Sequence, residues 1–154
     1  MAFILVSKDH FDLMKIKLIN ALFLLSSIVV CSTASYAASL YTELGEDRGI
    51  NKFVTKAVEL SHNDERIAFL FEDSDDEELI KQISDQICAL SDGPCEYDGL
   101  DMVEAHSGME ITEAEFDIFV SLVIDAMEFA DIPHPTRNKL LALLAPMRKD
   151  IIHQ

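Results

Sequence analysis

The residues of this chain that could do chemistry are few and dispersed. The segment DMVEAHSGMEIT, residues 101–112, carries one histidine, His106, on a brief helical stretch predicted over roughly 101–107. Cys88 and Cys95 stand seven positions apart, across a predicted helix end and the loop SDGPCEYDG at 91–99. The densest run of carboxylates is EDSDDEE, at 72–78. A conventional zinc site needs a full set of nitrogen or sulfur ligands, and no second histidine or cysteine stands at a suitable spacing from His106. Three readings of His106 stay open: a packed core residue, a solvent-facing one, or the single protein ligand of a group that brings its other donors, as a porphyrin does for iron. The cysteines leave two outcomes, a disulfide pinning the helix end to the loop before His106, or one buried and one exposed thiol. The acidic run lacks the glycine-punctuated spacing of a calcium loop. It reads as a solvated helix start, with Ser74 and Glu77 as an S-x-x-E capping box and acids facing the positive end of the helix dipole. His62, His134 and His153 fall at helix ends or in the tail, where a surface position is the default.

These residues need a scaffold, and the apolar periodicity supplies helices. Ile50, Phe53, Val54, Ala57 and Val58 recur at helical spacing over about 47–62. Leu79, Ile80, Ile83, Ile87 and Leu90 do so behind the Ser74 cap. Thr112 and Glu115 form a second capping box. It opens a helix with Phe116, Phe119, Val120, Val123 and Met127 on one face and Asp117, Ser121, Asp125 and Glu128 on the other. DIPHP ends that helix at about Asp131, and a last helix begins near Pro135. It carries Leu140, Leu143, Leu144, Met147 and Ile151 inward and is predicted to kink at Pro146. No useful strand alternation appears, so the expected fold class is all-α. Glycine and proline number only five and four, which favours helices over a turn-rich sheet protein.

The N-terminal segment is set apart from this fold. Lys15 and Lys17 precede an apolar run from Leu18 to Val30, and small residues follow, the order of a secretory signal. Residues 1–37 are therefore expected to be an export signal, with Met14 the tidier start and cleavage before Ala38, leaving 38–154 as one domain. The expected location is outside the cytoplasm, in the periplasm. Beyond residue 37 the chain holds nine basic and 26 acidic residues, a balance of −17. So acidic a surface repels nucleic acid and anionic membranes, and no stable membrane insertion is expected after cleavage. No Gly-Lys phosphate loop, dinucleotide fingerprint or HExxH is present, which removes several common enzyme classes.

From Leu40 to Ile152 the sequence resembles a group I truncated haemoglobin, one of the short two-over-two globins. The likeness runs in order through LYTELG at 40–45, AFLF at 68–71, GPCEYDG at 93–99, DMVEAHSGMEIT at 101–112, FADIP at 129–133 and LLAPMRKDI at 143–151. The resemblance implies a truncated globin-like helical sandwich around haem b, with His106 as the proximal iron ligand. It implies that Phe71 packs on the porphyrin face, that Leu79 and Ile83 face the open side of the iron, and that Met102, Ile111, Phe116, Phe119 and Leu144 line the rest. The second ring nitrogen of His106 should donate to a backbone carbonyl one turn earlier, that of Met102. Tyr97 is expected either in loop packing or near a haem propionate.

The distal side departs from the family. Positions that commonly hold a tyrosine and glutamines are here Val58, Leu79 and Ile83, all aliphatic, and Gln82 points toward the pocket edge. The paired glycines of the family are reduced to GEDRG at 45–49 and SDGP at 91–94, which alters loops that need positive φ. The function implied is binding of a diatomic gas (O2, CO or NO) in an unusually apolar pocket, with an unidentified redox partner as a second associate. The alternative is a haem-free or redox-sensing globin-like interaction module that has lost gas chemistry.

Overall fold

The computed structural model describes residues 38–154, and the expected export signal lies outside the described residues. Among the described residues the regular structure consists of six α-helices and two 3₁₀ segments, with no strand. α1 is Leu40–Glu43 and α2 is Glu46–Asn63. A 3₁₀ turn at Ala68–Leu70 leads to α3, Asp76–Leu90, and then to the short α4, Met102–Ala105. α5 is Glu113–Phe129, and α6, His134–Leu144, continues as a 3₁₀ segment at Ala145–Asp150. None of these helices is long and apolar enough to cross a membrane.

α2 is the hub, packing along both α3 and α5. Its buried residues Ile50, Phe53, Val54, Ala57, Val58 and Ser61 recur every three or four positions, so one face enters the core. Ser61 is tolerated there because its hydroxyl donates to the Ala57 carbonyl at 2.8 Å. Leu44, Ile87, Ala126, Met127, Ile132 and Leu140 close the core around that face. Burying a side chain such as Phe53 or Met127 contributes about 2–3 kcal/mol, which makes this cluster the main source of stability.

Three local expectations need correction. The cap of α3 is Asp75, not Ser74: the Asp75 carboxylate accepts from the Glu77 and Glu78 amides at 3.1 and 3.2 Å. A charged acceptor satisfying two free amides outcompetes a neighbouring hydroxyl. Pro146 ends α6 rather than kinking it, because a residue without N–H so close to the last turn lets the chain tighten into 3₁₀ form. Leu143 is 41% exposed, not inward, and Leu141 packs on the core instead. The box of Thr112 and Glu115 forms as read, with both reciprocal hydrogen bonds present.

At the start of α2 the glycine-poor sequence has a visible consequence. Gly45 takes φ 86° and Glu46 follows at φ 59°, so a branched-off side chain occupies a left-handed position.

Candidate functional site

His106 is placed by a very short helix whose geometry is fixed at both ends. The Asp101 side chain accepts from the Glu104 amide at 2.8 Å, setting the first turn of α4. At the other end His106 terminates α4, and its Nδ1 lies 2.8 Å from the Met102 carbonyl oxygen. A carbonyl only accepts, so in the neutral ring Nδ1 carries the proton and Nε2 keeps its lone pair, the tautomer a metal ligand requires. The following turn is tied down by the chain end: the Gly108 and Glu110 amides donate to the Gln154 carbonyl oxygen, and the His153 amide donates to that of Ile111.

Phe71 is placed at the corner between α2 and α3. The Ser74 hydroxyl, free of the capping role, donates to the Phe71 carbonyl at 2.7 Å. The Phe71 ring lies between His62, at 5.8 Å between centroids, and Phe119, at 6.0 Å and a 29° interplanar angle. His62 in turn meets the Asp76 carboxylate at 2.8 Å, linking the end of α2 to the start of α3. Both Leu79 and Ile83 are half-buried, one turn apart on α3, whereas Val58 on α2 is only 2% exposed. None of the three carries a donor. Gln82 is already engaged, its amide donating to Glu78 at 2.6 Å.

The donor chemistry and burial of these residues fit a flat apolar group with one axial ligand. Phe71, Leu79, Ile83, Phe116 and Phe119 are large and apolar yet stay half-buried, unlike the core beside them, and Ile111 is buried. Met102 and Leu144 are half-buried too, and Leu144 and Ile83 also rest on the core cluster. Arg148 lies over the Phe116 ring at 4.8 Å and pairs with Asp117, which anchors the C-terminal segment to α5. The structure thus brings Phe71 to Phe119 and His106 to Met102.

One residue contact escaped the sequence reading. Gln86, on α3, places its amide 3.6 Å from the Met102 sulfur, tying α3 to the residue whose carbonyl holds His106. Its helical offset from Ile83 was the available signal. Tyr97 donates to the Leu100 carbonyl at 2.7 Å and is committed to loop packing. Burial and the nearby Asp101 and Asp98 carboxylates push its phenol above the ordinary value. Cys88 and Cys95 form a disulfide, with Cα atoms 5.8 Å apart. It borders a cleft of about 930 Å³ between the first turns of α2 and one face of α3, lined by Ile80, Ser84 and Asp85 rather than by Leu79 and Ile83.

Known proteins share this fold. A group 1 truncated hemoglobin from Tetrahymena pyriformis is 25% identical over 114 residues, 74% of this chain and 94% of that protein. Group 1 truncated hemoglobin GlbN of Mycolicibacterium paratuberculosis is also 25% identical, over 74% of this chain and 84% of its own. The Fe(III) crystal structure of the Tetrahymena pyriformis protein superposes with a TM-score of 0.72, covering 76% of this chain and 100% of that one. The 2/2 hemoglobin of Synechococcus sp. PCC 7002, solved with covalently attached heme, shares the fold at a TM-score of 0.70 and 20% identity, over 75% of this chain and 98% of its own. The bacterial-like globin profile spans residues 39–153, and the chain belongs to that family in its truncated two-over-two form.

Proposed function

We propose that this globin holds haem b through His106 Nε2 and binds a small diatomic gas on the side walled by Val58, Leu79 and Ile83. The observation that carries the reading is the His106–Met102 contact of 2.8 Å, which orients one ring nitrogen and frees the other. Haem, held by His106, would supply the iron to which a diatomic gas binds. Every other part of the task falls to the protein. His106 would hold the iron through its imidazole lone pair, Phe71 and Phe119 would cover an apolar face of the haem, and α3 would exclude water from the gas side. Polarised dioxygen gains most from a hydrogen-bond donor, and three aliphatic walls offer none. Carbon monoxide and nitric oxide are therefore favoured relative to dioxygen. Each missing donor weakens dioxygen retention by about 1–3 kcal/mol, or about one to two orders of magnitude.

Absorption spectroscopy of the purified chain tests the reading. A Soret band is expected after hemin addition and is lost in His106→Ala. A colourless, helical protein in excess hemin would instead favour the haem-free interaction module. We further propose that residues 1–37 direct export to the periplasm with cleavage before Ala38. N-terminal sequencing of the secreted protein checks that, and a mature chain beginning upstream of Ala38 overturns it.

A further inference from the structure

We propose that the Cys88–Cys95 bond is a thiol–disulfide exchange site, attacked at Cys95 Sγ by an uncharged or cationic thiol that enters the cleft beside it. The inference stands on the disulfide and its cleft, independently of haem.

The cleft of about 930 Å³ has both cysteines in its lining, together with Asp47, Arg48, Lys81 and Asp85. The two sulfurs differ in access: Cys88 is 2% exposed, whereas Cys95, in the loop, is half-buried. Exchange requires a thiolate to reach one sulfur while the other departs, so access selects Cys95 as the sulfur attacked. The new bond forms between the incoming sulfur and Cys95 Sγ as the Cys88–Cys95 bond breaks. Its electron pair leaves on Cys88 Sγ, which takes a proton from water. A second thiol, on the same dithiol reductant or on another molecule, then attacks the reductant's sulfur in the mixed disulfide. Cys95 returns as a thiol, and the reductant thiols end as a disulfide. Two electrons and two protons have moved to the protein.

Electrostatics decide which thiols are accepted. Asp47 Oδ1 lies 4.0 Å from Cys88 Sγ and 3.9 Å from Cys95 Sγ. A bonded sulfur has no proton to donate, so these are contacts of a carboxylate with the reacting atoms. That charge opposes both the arriving and the departing thiolate and slows exchange. The cleft lining sets the carboxylates of Asp47, Glu77 and Asp85 against the cations of Arg48 and Lys81, the latter paired with Asp85 at 3.0 Å, so its net charge is negative, and the domain is strongly acidic. An anionic reductant is therefore repelled twice, by the cleft and by the whole surface.

The bond also has a mechanical role. It straps α3, which carries Leu79 and Ile83, to the loop that runs into α4 and His106. Noncovalent ties hold the start of that loop, through Gly93 N–H to the Cys88 carbonyl at 2.8 Å and Tyr41 N–H to the Ser91 carbonyl at 2.9 Å, and its far end, through Gln86 to the Met102 sulfur at 3.6 Å. Gly93 packs so closely that a Cβ there would fall 2.6 Å from Cys88 Sγ. Reduction leaves those ties intact and removes the covalent hold on the loop between them.

The test uses the oxidised wild-type chain with two monothiol probes, cationic cysteamine and anionic thioglycolate. Each rate is referred to the same thiol reacting with a neutral small-molecule disulfide. The expected adduct, mapped by peptide mass spectrometry, is on Cys95. Cysteamine is expected to react about tenfold faster than thioglycolate at low ionic strength, with the gap closing in salt. Asp47→Asn should accelerate both. An adduct on Cys88, no reaction by the folded chain, or equal normalised rates overturns the assignment. After reduction with dithiothreitol, faster amide exchange is expected over residues 95–101 with α2 and α5 unchanged. Unaltered exchange there, or general loss of helix, overturns the mechanical part.

Discussion

Nδ1 of His106 and the carbonyl oxygen of Met102 are 2.8 Å apart, so the ring that ends α4 is oriented by the residue that begins it. This arrangement predicts that the imidazole, rather than the backbone carrying it, is what the iron needs. His106→Gly should abolish the Soret band expected with hemin, and millimolar free imidazole should restore it. A His106→Gly protein that keeps the wild-type spectrum without added imidazole would remove His106 from the ligand position.

On the side proposed to bind gas, burial decides where a donor can be placed. Val58 is 2% exposed and lies in the packed face of α2, so Val58→Tyr must displace neighbours at a cost of about 1–3 kcal/mol. Ile83 is only half-buried, so a substitution there disturbs less packing. Ile83→Gln should therefore slow dioxygen dissociation by about one order of magnitude while leaving carbon monoxide dissociation nearly unchanged. Flash photolysis and stopped-flow mixing measure both rates. Equal effects on the two gases would point to sterics and not to hydrogen bonding.

Helices were legible in this sequence because their apolar positions repeat at 3.6-residue spacing, as Ile50 through Val58 illustrate. The Thr112–Glu115 box was legible for a similar reason, since all its partners lie within one turn. Ser74 was misread because two good cappers stand side by side, and only the folded corner shows that the serine hydroxyl turns back to Phe71. Leu143 was misplaced because a helical wheel drawn through Pro146 ignores the change to 3₁₀ winding after Leu144. What no local pattern carries are contacts between distant segments. His62 with Asp76, Gln86 with Met102 and Arg148 with Phe116 join different elements, and each braces a candidate site residue.

Glu46 offers a test of the altered glycine pattern. At φ 59° its Cβ crowds the backbone, a strain of about 1–2 kcal/mol that glycine avoids. Glycine returns part of the gain through the greater entropy of its unfolded chain. Glu46→Gly should stabilise the domain by about 1 kcal/mol in urea denaturation, with an unchanged slope. Destabilisation would mean that the Glu46 side chain makes a compensating contribution at the helix start.

Acid should act on this protein in two opposed stages. Hydrogen bonds from Arg66 hold Asp64 at about 2, and the Thr112 amide, then its hydroxyl, hold Glu115 below the ordinary carboxylate range. Both groups bind protons more weakly folded than unfolded. Their contributions are therefore complete above the ordinary carboxylate range and are lost as pH falls, Glu115 first and Asp64 only near 2. Meanwhile the other carboxylates of a domain at −17 repel one another at neutral pH, and partial protonation relieves them. The surface ion pairs, such as Lys56 with Glu59, contribute too little to reverse that balance. Thermal midpoints should thus peak at about pH 5, fall steeply below the carboxylate range, and rise with added salt at pH 7. Arg66→Ala should move the acid limb upward in pH without shifting the peak. A midpoint insensitive to salt at pH 7 would show that acidic self-repulsion is not what limits the neutral protein.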